Sequence, residues 1–161
     1  CKYGYSMKNR VMTQTLIKSG TEPNLTADQE EHFFTYSLYP HAGTWREAGT
    51  EQEALNLNVP AKAVAGAAEK DRMEFLSVDK RDVVLETVKK AEDGDGVIVR
   101  LYEVENARTK VTLHCAEAIA SAEETDLLEN PIEGALGVKE NEIELTIKPY
   151  EIRTIRIRTE K

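Results

Sequence analysis

Cysteine, histidine and tryptophan are scarce in this chain, which holds two, three and one of them among 161 residues. Cys1 and Cys115 stand far apart, and a secreted scaffold stapled by disulfides would carry more, so both read as free thiols of a cytoplasmic protein. His32, His41 and His114 are too few and too spread for a zinc site, which wants three or four ligands at close spacing. Basic charge is also in deficit. With 29 acidic against 21 basic residues the formal charge is -8, which repels phosphate backbones and anionic lipid heads and leaves nucleic acid and membranes as poor partners. No stretch reaches the roughly 20 consecutive apolar residues that cross a bilayer, and no basic segment followed by an apolar one opens the chain. A soluble product is expected.

Catalytic signatures are missing as well. There is no G-x-S-x-G turn and no glycine loop that would cradle a phosphate after a strand. Acidic residues cluster at 28–31, 92–95 and 123–126, but none of these runs has the alternating ligand order of a calcium loop, and all three read as solvated turns. Asn24-Leu25-Thr26 matches the glycosylation acceptor pattern, a triplet that arises often by chance and has no meaning in a cytoplasm.

What the chain does have is 40% hydrophobic residues, enough for a core, arranged mostly in alternation with polar ones. That period predicts an all-β fold. Residues 2–7 and 11–17 read as a hairpin whose turn places Asn9 in a left-handed conformation. Residues 32–39 are dense in aromatics and read as a strand stopped by Pro40. Thr44-Trp45-Arg46-Glu47 fits the capping box, so one short helix is expected near 44–56, with Trp45 anchoring it to the sheet. Residues 61–70, rich in Ala, Lys and Gly, read as a surface loop. Further strands are expected at 75–78, 83–89, 97–104, 109–116, 142–147 and 152–158, the fifth and sixth split by Lys148-Pro149-Tyr150. Residues 97–104 carry apolar side chains on both faces, as an interior strand covered twice would, and Arg156 and Arg158 read as a solvent face. Together these predict a two-sheet antiparallel β-sandwich formed as a single domain over 1–161.

Five separated segments, in one order, resemble a known family. They are Cys1-Lys2-Tyr3-Gly4-Tyr5-Ser6; His32-Phe33-Phe34-Thr35-Tyr36-Ser37-Leu38-Tyr39-Pro40-His41; and Phe75-Leu76-Ser77-Val78. The others are Val83-Val84-Leu85-Glu86-Thr87-Val88-Lys89-Lys90-Ala91 with Arg100-Leu101-Tyr102-Glu103, and Asp126-Leu127-Leu128-Glu129 with Lys148-Pro149-Tyr150-Glu151. The family is glycoside hydrolase family thirty-eight, the α-mannosidases, nearest its cytosolic and bacterial members. The resemblance implies the C-terminal, supersandwich-like β-domain of a longer enzyme, and a chain that begins inside a strand, because members carry Leu-Asn-Asp ahead of the segment matching Cys1. It implies retaining hydrolysis of terminal α-mannosidic bonds in mannose-containing oligosaccharides, with a carboxylate nucleophile, a carboxylic acid/base and a divalent metal, zinc or cobalt. All of these belong to an absent catalytic domain, so no cofactor and no catalytic residue is expected within these 161 residues. Where members have glycine, this chain has Glu30, two residues before His32, so the turn there is expected to be reshaped.

The function so implied is non-catalytic support of that domain, within mannose and oligosaccharide catabolism. Its alternatives are an independent carbohydrate-binding module, for which Tyr36, Tyr39 and Trp45 are the available aromatics, and a structural adhesion or interaction sandwich. Read as a strand, residues 32–39 would put His32, Phe34, Tyr36 and Leu38 on one face and Phe33 and Tyr39 on the other, so both need cover. One cover is the Trp45 helix or a neighbouring loop of the same domain; the other, which the family resemblance favours, is the catalytic domain, and it makes His32, Tyr36, His41 and Arg46 the candidate substrate-cleft rim or interdomain contact.

Overall fold

Tyr5 and Met7 alternate with Ser6 and Lys8 at the start of the chain, and Met12 with Val11 and Thr13, the two-residue period of a half-buried strand. In the computed structural model, which describes residues 3–67 and 70–160, these become β1 (Tyr5–Lys8) and β2 (Val11–Gln14), an antiparallel hairpin. Asn9 and Arg10 both take positive φ, 52° and 65°, which gives the two-residue turn whose twist suits the strands it joins. Cys1 and Lys2 lie outside the described residues, so the expected start of the hairpin at residue 2 and the state of the Cys1 thiol do too.

The chain divides into two compact units, Cys1–Ala42 and Gly43–Lys161, where the sequence reads as one domain. In the first, residues 32–39 do not form the expected strand. Aromatic residues favour a ladder only where a neighbour supplies one, and among the described residues of this unit the only strand pairing is β1 with β2.

In the second unit both bonds of the expected capping box are made. Thr44 N donates to Glu47 Oε2 at 2.7 Å and Glu47 N to Thr44 Oγ1 at 3.3 Å. They close a turn and not a helix, because Gly49 (φ 65°) adopts the left-handed conformation and interrupts the chain before α1 (Thr50–Asn58). The helix is thus displaced toward the C-terminus, none of its residues is buried, and Trp45 sits on the preceding turn instead of anchoring it. The described part of 61–70 is exposed and without regular structure; Ala68 and Glu69 lie outside the description.

Nine strands follow: β3 (Leu76–Val78), β4 (Val83–Lys90), β5 (Val97–Glu103), β6 (Thr109–Cys115), β7 (Ile119–Thr125), β8 (Pro131–Ala135), β9 (Val138–Lys139), β10 (Glu142–Ile147) and β11 (Ile152–Thr159). They make a four-stranded sheet, β3-β6-β10-β9, and a five-stranded sheet, β4-β5-β11-β7-β8, with every neighbouring pair antiparallel. Inward residues of β6 (Val111, Leu113, Cys115) and β10 (Ile143, Leu145, Ile147) form one core with Val99, Leu101, Ile155 and Ile157 of the other sheet. The outer face of the smaller sheet is wet, with Lys110 paired to Glu144 at 2.6 Å and His114 facing Glu142 at 3.3 Å. Cys115 is a buried free thiol. β5 is an interior strand, and Ile98 and Val99, on opposite faces, are both fully buried.

Glu103 ends β5 only 1% exposed, on the same side of the strand as Val99 and Leu101. Its Oε1 accepts the backbone N–H groups of Glu105 (2.7 Å) and Ala107 (3.0 Å), and its Oε2 those of Asn106 (3.0 Å) and Tyr150 (2.8 Å). Burial pushes this carboxyl up, but the four N–H donors outweigh it and hold the group below the usual glutamate value of 4.5. A carboxyl depressed on folding stabilises the fold at pH above its unfolded value, and that contribution disappears as pH falls through the folded value. Glu103→Ala should therefore cost about 3 kcal/mol in urea unfolding at pH 7, the scale of orphaning buried donors. Below about pH 4 the gap to wild type should shrink. A gap that stays constant between pH 7 and pH 3 would show that the charge is not what matters.

Candidate functional site

The sequence nominates His32, Tyr36, His41 and Arg46, and the first three lie in the first unit while Arg46 lies in the second. His32 is half-buried, its Nε2 3.0 Å from the Asp28 carbonyl and its ring stacked on Phe34 with centroids 5.9 Å apart. Tyr36 is exposed. His41 is exposed with Nδ1 3.3 Å from the Ala42 carbonyl, and its ring is tilted against Tyr39 at 5.6 Å. Both histidine rings are thus engaged by a carbonyl and a ring from their own segment.

Arg46 lays its guanidinium over the Trp45 ring, 4.9 Å from the centroid. Both residues line a groove of about 280 Å³, together with Thr50, Glu53, Arg81 and Glu105. Arg81 and Glu105 approach to 3.6 Å across it, and the buried Thr50 hydroxyl has no protein partner. The groove is smaller than the roughly 300 to 1,000 Å³ of pockets that enclose a small ligand. Trp45 is 38% exposed, so its ring edge is accessible from solvent.

The chemically loaded side chains lie elsewhere, on the outer face of the five-stranded sheet, where the sequence pattern does not point. Register places Lys89, Ile98, Arg156 and Glu123 side by side across β4, β5, β11 and β7. Arg156 Nη1 donates to Asp93 at 2.6 Å and Nη2 to the Glu129 carbonyl at 3.3 Å, with Glu123 3.7 Å from Nε. Lys89 pairs with Glu129 at 2.8 Å, and Glu129 also accepts the Glu92 amide at 2.9 Å. Arg158 bridges Asp95 (2.8 Å) and Glu123 (2.9 Å). On the opposite side of the sheet Arg153 pairs with Glu124 and reaches the Thr146 carbonyl of the other sheet at 3.2 Å. Two expectations are corrected here. Arg156 is buried and not part of a solvent face, and Glu123 and Glu124 belong to strand β7 and not to a turn, because the basic residues of β11 lie beside them.

These acids are committed to the fold. The surroundings displace the titration of Glu47, Asp79, Asp93, Glu103, Asp126, Glu129 and Glu144, and push each of them down. Hydrogen bonds from Lys89 and then the Glu92 amide lower Glu129, and those from Asn130 lower Asp126. A general acid needs the reverse, a carboxyl held protonated near neutral pH. Among the described residues no group of three or more His, Cys, Asp or Glu side chains gathers as metal ligands would, and no helix is long and apolar enough to cross a membrane.

Residues 82–155 match the model of the glycosyl hydrolases family 38 C-terminal beta sandwich domain. Alpha-mannosidase 2C1 of Mus musculus is 36% identical over 162 residues, covering 96% of this chain, and that of Homo sapiens 34% over 161 residues, again 96%. Alpha-mannosidase G of Dictyostelium discoideum is 33% identical over 167 residues, 97% of this chain. The chain spans only 15% to 16% of the length of these relatives. Because His32, Tyr36 and His41 lie in the other unit, replacing them with Ala, Phe and Ala should leave the free energy of urea unfolding of the sandwich within about 0.5 kcal/mol of wild type. A larger loss would make them part of its packing.

Proposed function

We propose that this chain, whose residues 82–155 match the C-terminal beta sandwich domain of the family 38 glycosyl hydrolases, is a non-catalytic part of a longer α-mannosidase and supports that enzyme's catalytic domain. The observation that carries the reading is the commitment of its displaced carboxyls to the fold, in a chain that aligns over 96% of its length with α-mannosidases about six times as long. In this reading the nucleophile, the acid/base and the metal of a retaining α-mannosidase belong to the remainder of the polypeptide. The described residues do not fit the metal, since no ligand group gathers among them. Zinc or cobalt is assigned to the catalytic domain, and terminal α-mannose of oligosaccharides is the substrate. We place the enzyme in the cytoplasm, where the free thiol of Cys115 is compatible with a reducing compartment. His32, Tyr36, His41 and Arg46 serve in the intact enzyme at the seam with the catalytic domain or at the rim of its cleft, a role supported by their partial or full exposure.

Two assays test this. The 161-residue chain should neither cleave an aryl α-mannoside nor show saturable calorimetric binding of mannobiose, whereas the longer polypeptide should cleave it. Turnover by the chain alone would sink the supporting role, and saturable mannobiose binding would favour a carbohydrate-binding module at the Trp45 groove. In the longer polypeptide a His32→Ala, Tyr36→Phe, His41→Ala variant should lose about tenfold in kcat/KM, roughly 1.4 kcal/mol of transition-state stabilisation. Wild-type turnover would remove these residues from the seam.

A further inference from the structure

The hairpin of the first unit is two-faced and its apolar face has no cover. Register pairs Met7 with Met12 and Tyr5 with Gln14 on one side of the ribbon, and Ser6 with Thr13 and Lys8 with Val11 on the other. On the second side the Ser6 and Thr13 hydroxyls meet at 2.5 Å, as suits a wet surface. On the first, Tyr5, Met7 and Met12 are 67%, 76% and 56% exposed. An isolated two-stranded ribbon is marginal in water, and a unit of this length is near the lower limit for building a core of its own. The same unit exposes Phe33 at 86%, with Leu25, Tyr36 and Leu38 also in solvent, in a stretch that has no strand partner.

We propose that residues 5–14 and 32–38 belong to a domain completed by the remainder of the same polypeptide, which covers Tyr5, Met7 and Met12 of the hairpin and the exposed Phe33, Tyr36 and Leu38. This rests on the reading that a longer polypeptide carries the chain. The occupant is that polypeptide because the relatives align over 96% to 97% of this chain, and so through the first unit, yet extend over six times its length. The material to complete the ribbon therefore exists in proteins that share the ribbon. Pairing through backbone bonds, with alternate side chains in apolar pockets, is how an edge accepts an extended segment. By contrast the second unit closes its own core between two sheets and needs no such completion.

Hydrogen–deuterium exchange read by mass spectrometry tests the inference. In the 161-residue chain, amides of 5–14 and 32–38 should exchange fast while those of β5, β10 and β11 are protected. In the longer polypeptide the first two segments should slow by at least about 100-fold. Met7→Asp should lower the melting temperature of the longer polypeptide, Met7→Leu should not, and neither should shift the unfolding of the sandwich in the 161-residue chain. Slow exchange of 5–14 already in the chain alone overturns the proposal. If it depends on chain concentration, a second copy is the cover, and if not, the chain covers itself. Fast exchange in an active longer polypeptide overturns it while the functional reading survives. Slow exchange in a longer polypeptide without mannosidase activity would leave this inference standing and remove the functional reading instead.

Discussion

A single carboxylate closes one end of the sandwich. Glu103 is carried into the protein by the strand that also buries Val99 and Leu101, and removing a charge from water is costly unless donors replace the water. Four backbone N–H groups do so, three from the connection to β6 and one from the turn between β10 and β11. Asn106 and Tyr150, at positive φ, bend those two loops back toward the acid. Only a carboxylate offers acceptors on both oxygens to four donors; an amide would set its own N–H₂ against two of them. The backbone bond from Glu103 N to the Glu151 carbonyl, at 3.2 Å, ties the same turn to β5. Without this group the loops that connect the two sheets would present unpaired donors to the end of the core.

The same chemistry covers the outer face of the five-stranded sheet. Ile98 is fully buried there although its neighbours in register are Lys89 and Arg156, so charged side chains, pinned by Glu129, Asp93 and Glu123, act as its roof. Their aliphatic stems supply apolar cover while their heads are paired at the rim. The arrangement explains how this face holds several acids close together: Asp93 and Glu123 pair with Arg156, Glu129 with Lys89, and Asp95 with Arg158.

How much of this is legible in sequence depends on whether a strand's partners share its pattern. β10 reads directly from Ile143, Leu145 and Ile147, since alternation and burial coincide. β7 does not, because Ala122 is its only core residue besides Ile119, and its Glu123 and Glu124 look solvated until the arginines of β11 are placed beside them. β8 and β9 are short edge strands whose pairing comes from β7 and β10, and no local period announces them. The capping box at 44–47 is chemically real, but nothing local distinguishes a box that opens a helix from one that closes a turn until Gly49 takes positive φ. Of the candidate site, the half-burial of His32 and the exposure of Tyr36 and His41 fit an aromatic surface, while the strand that was to carry them is absent.

The segments that resemble α-mannosidases fall into two groups by this criterion. Those of the second unit are explained from within: Lys89 of one meets Glu129 of another, and Glu103 of a third accepts the Tyr150 amide of a fourth. Sequence likeness there follows from ties whose both ends are in the chain. The segments of the first unit behave otherwise. Of residues 3–6 and 32–41, the exposed side chains include Tyr5, Phe33, Phe34, Tyr36 and Leu38, which the unit does not enclose. The two units thus differ: the second closes on a core of its own, while the first leaves large apolar side chains in solvent.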